Sequence, residues 1–375
     1  MTNKELFYFA GKCLSLDEHP EFREEIIQRT LNDSIDWQKF VGLCSNHLIL
    51  PAIYLKFTTH NLLRNIPEEL NEFLTEVYYL NKKRNQQIQN QLEIIIRLLN
   101  ENQIYPILLK GTGNLLDGVY CDIGERIIGD IDILVSEEDY LTSAKLLEED
   151  GYYHNSPPFF DVNGMKHYPK LFKQGMPADV EIHRLPVNKE YLEQFNTPVI
   201  FEEKRSISKI PELSFFVLSD KHKVILNFIH TQLSNKGHQY GVVPLRDIYD
   251  LYLLSKRIDL KQTLPFIQYK SIAITYFHFV GVVLNLSDFR QFPENFKTRI
   301  FCRKHDLFLD SYKLYRINKN LTYILHRIYL YIQQITKSVY SQKDRKLLFM
   351  RMSNIEWYKN HITTYTNFFS GKGHG

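Results

Sequence analysis

The sequence predicts an α+β fold, with a small mixed sheet in residues 101–210 set between helical regions of residues 1–100 and 211–375. Three observations point there. Apolar residues at three- and four-residue spacing mark the first hundred positions, short apolar runs broken by glycine or alternating at period two follow, and helical spacing returns beyond about Pro211.

The clearest early helix spans residues 67–102. Pro67 suits a first helical position, and Ile88, Leu92, Ile95, Ile96 and Leu99 form one apolar stripe. Polar KKRNQQ residues cover much of the rest, so this helix is expected to dock by one side. At Tyr105 the run YPILLK is too brief for a helix and breaks at Gly111, which predicts a buried strand closed by a glycine turn. A short helix is expected over 112–120. The segment IIGDIDILV, residues 127–135, alternates apolar with acidic residues and predicts a strand. SEEDYLTSAKLLEEDGY supplies a helix with Ser136 as N-cap and Gly151 as terminator. KHYPKLFKQG and PADVEIHRLP read as a hairpin pair. HKVILNFIHTQL, VPLRDIYDLYLLSKR and Tyr- and Ile-rich stretches to about Phe369 restore the helical pattern, and the closing GKGHG is expected to fray or stand outside the fold.

A hydrophobic content of 44% with 24% charge is the balance of a soluble globular protein. No apolar run approaches the ~20 residues of a membrane span, so no membrane partner is expected. MTNKELFYFAGKC lacks the pattern of a secretory signal, which makes a cytoplasmic protein the default expectation. Cys13, Cys44, Cys121 and Cys302 are too scattered for a zinc knuckle or a disulfide framework. A net charge of +3 does not indicate a dedicated nucleic-acid binder, although Lys and Arg outnumber Asp and Glu about three to one from Ile300 onward.

Alternation puts Asp130 and Asp132 on one strand face, roughly 7 Å apart, while Ile131 and Ile133 face the core. Such an oxygen-rich pair suits Mg²⁺ or Mn²⁺, hard ions that also bridge phosphate oxygens. An isolated pair of this kind is more often two exposed aspartates, but here two further signals accompany it. Upstream, LLKGTG offers backbone N–H groups at Gly111, the charge of Lys110 and the hydroxyl of Thr112 as phosphate contacts. Downstream, DVEIH sets Glu181 between two core positions.

This order of motifs resembles the polymerase-beta-type nucleotidyltransferase superfamily and, within it, a bacterial family of uncharacterised nucleotidyltransferases. The resemblance rests on DWQKFVGLCSNHLILPAIY from Asp36, KKRN at Lys82, ILLKGTGNLLDGVY from Ile107, GERIIGDIDILV from Gly124, the A…L…GYY run from Ala144 and VEIHR from Val180, with HKVILNFIHTQL and LRDIYDL in the helical part. It covers about residues 35–255. Thr112 and Glu181 depart from the commoner Ser or Gly and Asp, while keeping a small hydroxyl residue and a carboxylate.

The resemblance implies a nucleotidyltransferase core in residues 101–210. Asp130, Asp132 and Glu181 would bind two Mg²⁺ or Mn²⁺ ions, Glu181 would also help deprotonate an acceptor hydroxyl, and Gly111 and Thr112 would hold a nucleoside triphosphate. Lys110 and Arg126 are further phosphate candidates, Arg126 alternatively bracing the strand through an acid. His183, on the face of Glu181, is a candidate supporting or acceptor-contacting group. His222, His230, His238, Arg246, Asp247 and Asp250 read as structural polar residues. The acceptor stays open among small molecule, sugar intermediate, peptide, protein and RNA. Two other readings survive at this level, a catalytically degenerate binding protein and a glycosyltransferase that uses its DxD on a nucleotide sugar. Three acids on one face also lead to the expectation that they repel without metal, with raised pKa values and a loss of stability.

Overall fold

The computed structural model describes residues 1–155, 165–207, 210, 212–355, 358–359 and 363. The N-terminal region forms α1 (Asn3–Leu14), α2 (Phe22–Leu31), α3 (Trp37–Asn46), α4 (Leu50–Thr59) and the long α5 (Glu68–Glu101). Their starts are chemically marked. Thr2 and Glu5 close a capping box on α1, and Asp36 accepts from Lys39 N to cap α3. Pro67 stands one residue before α5 as its N-cap. The α5 stripe predicted from Ile88 to Leu99 is buried, and it continues toward the N-terminus through Asn85, Asn81, Tyr78, Leu74 and Leu70.

The core follows as β1 (Ile107–Leu108), α6 (Lys110–Leu116), β2 (Ile131–Leu134), α7 (Tyr140–Glu149), β3 (Val180–His183), α8 (Thr197–Glu202), β4 (Arg205–Ser206) and β5 (Phe216–Val217). The five strands make one mixed sheet in the order β3-β2-β1-β5-β4. β2 runs parallel to β3 and β1 parallel to β5, while β1/β2 and β4/β5 are antiparallel. An α+β core with helical regions on both sides is therefore the fold. The hairpin expected around Gly175 is present as antiparallel bridges Leu171↔Val180 and His167↔His183. Beyond the sheet come α9 (Asp220–Phe228), a π-helical turn (Ile229–Ser234), α10 (Gly237–Tyr240), α11 (Leu245–Ser255), α12 (Lys270–Leu284) and α13 (Phe296–Asp310). Packing groups Met1–Asp306 as one compact unit and Leu307–Gly375 as another. The second holds α14 (Tyr312–Tyr340) and α15 (Gln342–Ser353). The helical expectation to Phe369 runs past the described residues, and GKGHG lies outside them. All four cysteines are free thiols.

Three local expectations need correction. The glycine turn is absent as such, because α6 already begins at Lys110 and takes Gly111 and Gly113 into its helix. Lys110 itself makes the left-handed turn, with φ +47°. The strand expected over 127–135 shrinks to Ile131–Leu134, since the backbone from Ile123 to Gly129 is bound by side chains of α5 instead of by a neighbouring strand. Ser136 is not the N-cap of α7. Its hydroxyl caps the preceding turn, accepting from Asp139 N at 3.0 Å, and Asp139 occupies the N-cap.

The two glycines of α6 serve close approach. A Cβ on Gly113 would lie 2.5 Å from the Leu108 carbonyl oxygen, a backbone atom that cannot swing aside. Gly113→Ala is expected to destabilise the protein by about 1–3 kcal/mol. Gly42, inside α3, meets nothing within 4 Å. Gly42→Ala is expected to stabilise by about 0.5–1 kcal/mol, through backbone entropy alone. Urea unfolding of both variants checks the pair, and equal shifts would refute the close-packing account.

Candidate active site

Two irregular segments lead into β2 and β3, and α5 fastens both. Asn81 Nδ2 donates to the Gly124 carbonyl at 2.7 Å, and Asn85 Nδ2 donates to the Ile123 and Arg126 carbonyls at 2.6 and 2.7 Å. Arg84 donates to Ile128 O and, at 3.0 Å, to Pro177 O, which ties the two lead-ins together. Gln91 then exchanges hydrogen bonds with the Ala178 backbone just before β3. Buried backbone groups outside a sheet need such partners, so the polar residues of the α5 stripe fix where the acids begin.

From the far side α11 holds the same loop. Arg126 is largely enclosed and clamped on the buried Asp250, with its Nη2 at 2.9 Å from Oδ2, while Tyr120 Oη donates to Asp250 Oδ1 at 2.7 Å. Tyr249 Oη donates to Glu125 at 2.6 Å. Of the two roles open to Arg126, the contacts are those of the brace. Thr112 is also buried, with its hydroxyl donating to Leu109 O at 3.3 Å. Gly111 packs against Arg126, whose Nη1 would stand 2.6 Å from a Cβ at that position.

The acids are set by strand register. Parallel pairing of β2 with β3 puts Asp132 opposite Glu181, and His183 lies two residues further along the same face as Glu181. The imidazole Nε2 sits 2.9 Å from Asp132 Oδ1 and 3.3 Å from Glu181 Oε2. Lys110 Nζ reaches Asp132 Oδ1 at 2.6 Å. Asp130, just ahead of β2, turns to Lys170, which lies 3.0 Å from its Oδ2 and 3.7 Å from Glu181 Oε1. His167 Nε2 is 4.0 Å from Glu181 Oε2.

These cations reverse the expectation of mutual repulsion. Burial alone would raise the Asp132 pKa, but Lys110 and the His183 hydrogen bond overcome it and hold the carboxyl far below the usual range. Glu181 follows the same pattern, with burial opposed chiefly by His183, and settles at about 2. Lys110 is destabilised by burial yet held above its ordinary value by Asp132. Asp132 and Glu181 are therefore held ionised in the metal-free fold, because counting carboxylates alone left out the Lys and His side chains beside them.

The donor set fits a divalent cation. Asp132, Glu181 and His183 offer ligand atoms that all lie within 4.8 Å of one another, among the described residues. Asp130 stands outside this group, joined to it through Lys170. His183 Nε2 donates to the carboxylates in the metal-free fold, while Nδ1 is buried with no hydrogen-bond partner, so ligation through Nε2 would require its proton to move to Nδ1 or leave. Several neighbours escaped the sequence reading. Lys166, whose pKa is lowered by burial and by Lys110, belongs to the same cluster with His167 and Lys170. The hairpin pairing of KHYPK with VEIHR was the signal that could have found them. His230, in the π-helical turn, is pushed down to about 4 by burial, with Lys110 adding to the effect.

A depressed carboxylate contributes stability that is present above its unfolded pKa, near ~4, and lost as pH falls through its folded value. Asp132→Asn is therefore expected to lower stability in chelator at pH 7 by on the order of 3 kcal/mol, since it leaves Lys110 without its buried partner. The deficit should shrink as pH falls from about 4 toward 2. Denaturant unfolding across pH checks this, and a variant as stable as wild type would restore the repulsion account.

No curated protein matches the chain. The family described as uncharacterised nucleotidyltransferase matches residues 33–268, from the α3 cap through β1–β5 to the segment after α11. With more than half of its length inside that match, a span that includes Lys110, Asp130, Asp132, Glu181 and His183, the chain belongs to this nucleotidyltransferase family.

Proposed function

We propose that the protein transfers a nucleoside monophosphate from a nucleoside triphosphate to an acceptor, with release of pyrophosphate. The observation that carries this reading is the in-register placement of Asp132 against Glu181, with His183 between them, in a chain of a nucleotidyltransferase family. Bound divalent metal would supply Lewis-acid charge neutralisation of the phosphates. Asp132 and Glu181 would hold it, with Asp130 released from Lys170 to join them. Because His183 adds a nitrogen donor, the set favours Mn²⁺ over Mg²⁺.

The protein's own groups have definable parts. Lys110 and Lys170 neutralise the acids before ligand arrives, and both are free to turn onto a triphosphate once the acids have another cation. Lys166 adds charge in the same cluster. Arg126, spent on Asp250, supports the Gly111 backbone instead of the phosphate. Glu181 is the acid best placed to orient an acceptor hydroxyl and take its proton, since it borders both Lys170 and His183.

The test is incubation with each labelled triphosphate, Mg²⁺ or Mn²⁺ and a cell lysate, followed by assay of pyrophosphate and of the labelled fraction. Pyrophosphate release with label transfer is expected from the wild type. Asp132→Asn should reduce it on the order of a thousandfold, and Glu181→Gln should slow single-turnover chemistry more than it weakens nucleotide binding. Release of a nucleoside diphosphate from a nucleotide sugar, or full activity in folded Asp132→Asn, would overturn the reading.

A further inference from the structure

The second unit contains an amphipathic surface that the nucleotidyl-transfer reading does not use. α14 is 29 residues long, on the order of 40 Å. Nine of its ten Leu, Ile and Val residues fall within an arc of about 100° at helical spacing, from Leu314 through Leu321, Ile328 and Ile332 to Val339. Each of these nine side chains is between 39 and 61% exposed. A helix buried against its own domain would have this stripe covered.

The charge pattern says what kind of surface covers it. Between Asp310 and Asp344 the sequence has no Asp or Glu, while Lys313 borders the stripe and Arg316, Lys319, Arg327 and Lys337 occupy the turns of α14 away from it. Across residues 307–375 there are eleven Lys and Arg against three Asp and Glu. A second copy of this helix would cover the stripe but supply no carboxylate to pair with these cations, which leaves the charge of the polar face unmatched. A nucleic acid would match the charge but would leave the aliphatic stripe in water. An anionic lipid surface satisfies both faces, with the aliphatic stripe in the acyl boundary, Tyr329 and Tyr340 near the headgroups and the cations toward the lipid phosphates. No helix among the described residues is long and apolar enough to cross a membrane, so the helix would lie in the interface plane.

We propose that α14 docks the protein on anionic bilayer surfaces as an interfacial helix. The proposal is independent of the catalytic reading, since it uses none of the residues around Asp132. The test is flotation of the full chain with vesicles of phosphatidylcholine alone and of phosphatidylcholine with about one third phosphatidylglycerol. Binding is expected with the anionic vesicles, roughly tenfold or more above the neutral ones, and should weaken as salt is added. Ile328→Asp with Ile332→Asp should abolish it. Lys313→Gln with Lys337→Gln should weaken it about fivefold per charge, roughly thirtyfold together, in a helix whose stripe is intact. Unchanged melting certifies folding of each variant, and the lysine pair keeps the test alive should the aspartate pair misfold. Absence of flotation, equal flotation on both vesicles, or a stripe-dependent dimer that does not float would each overturn the proposal.

Discussion

Parallel pairing of β2 with β3 sets Asp132 beside Glu181, and two carboxylates at neighbouring-strand spacing cannot both leave water unless cations stand against them. Much of the core can be understood as meeting that demand. Lys110 adopts a left-handed backbone at the start of α6, a conformation unusual for a residue with a Cβ, and its ammonium lands on Asp132. His183 is fully buried on the face of Glu181 and touches both acids. The hairpin strand contributes Lys170 to Asp130 and Glu181. The same groups that make the metal-free fold tolerable are those a polyanionic ligand would meet.

Holding the register is the task of α5 and α11. Asn81, Arg84, Asn85 and Gln91 interrupt an otherwise apolar helix face, and each hydrogen-bonds to backbone that no strand pairs. Arg126 and the buried Asp250 form a largely enclosed ion pair between the loop before β2 and α11. A pair of this kind adds less to stability than to specificity, because each partner alone would be costly and only one docking of α11 satisfies both. Site geometry thus depends on helices far from it in sequence, and the family match spans from α3 to beyond α11.

What the sequence made legible was local. Alternation around Asp130–Ile133, the acid of VEIH and the helical stripe from Ile88 to Leu99 each follow from nearest-neighbour patterning, and the α+β class with its mixed sheet came from their order. What it hid was non-local. The lead-in to β2 alternates like a strand, yet side chains some forty positions earlier take its carbonyls. The bridges Leu171↔Val180 and His167↔His183 are offset by one residue, so simple hairpin counting would misplace Lys170 and His167. Gly111 drew attention as the turn residue, but the positive φ belongs to Lys110, and the glycine is needed because Arg126 packs on it.

The central claim is that Asp132, Glu181 and His183 form a metal site whose charge Lys110 balances in the absence of ligand. Crystals of the wild type soaked with Mn²⁺ and a non-hydrolysable nucleoside triphosphate test it directly through anomalous diffraction at the manganese edge. The account predicts a peak bonded to Asp132 and Glu181 with His183 Nε2 turned to it, and Lys110 withdrawn from Asp132 toward the phosphates. Anomalous density elsewhere, or bound nucleotide with Lys110 still on Asp132 and no ion between the strands, would contradict it.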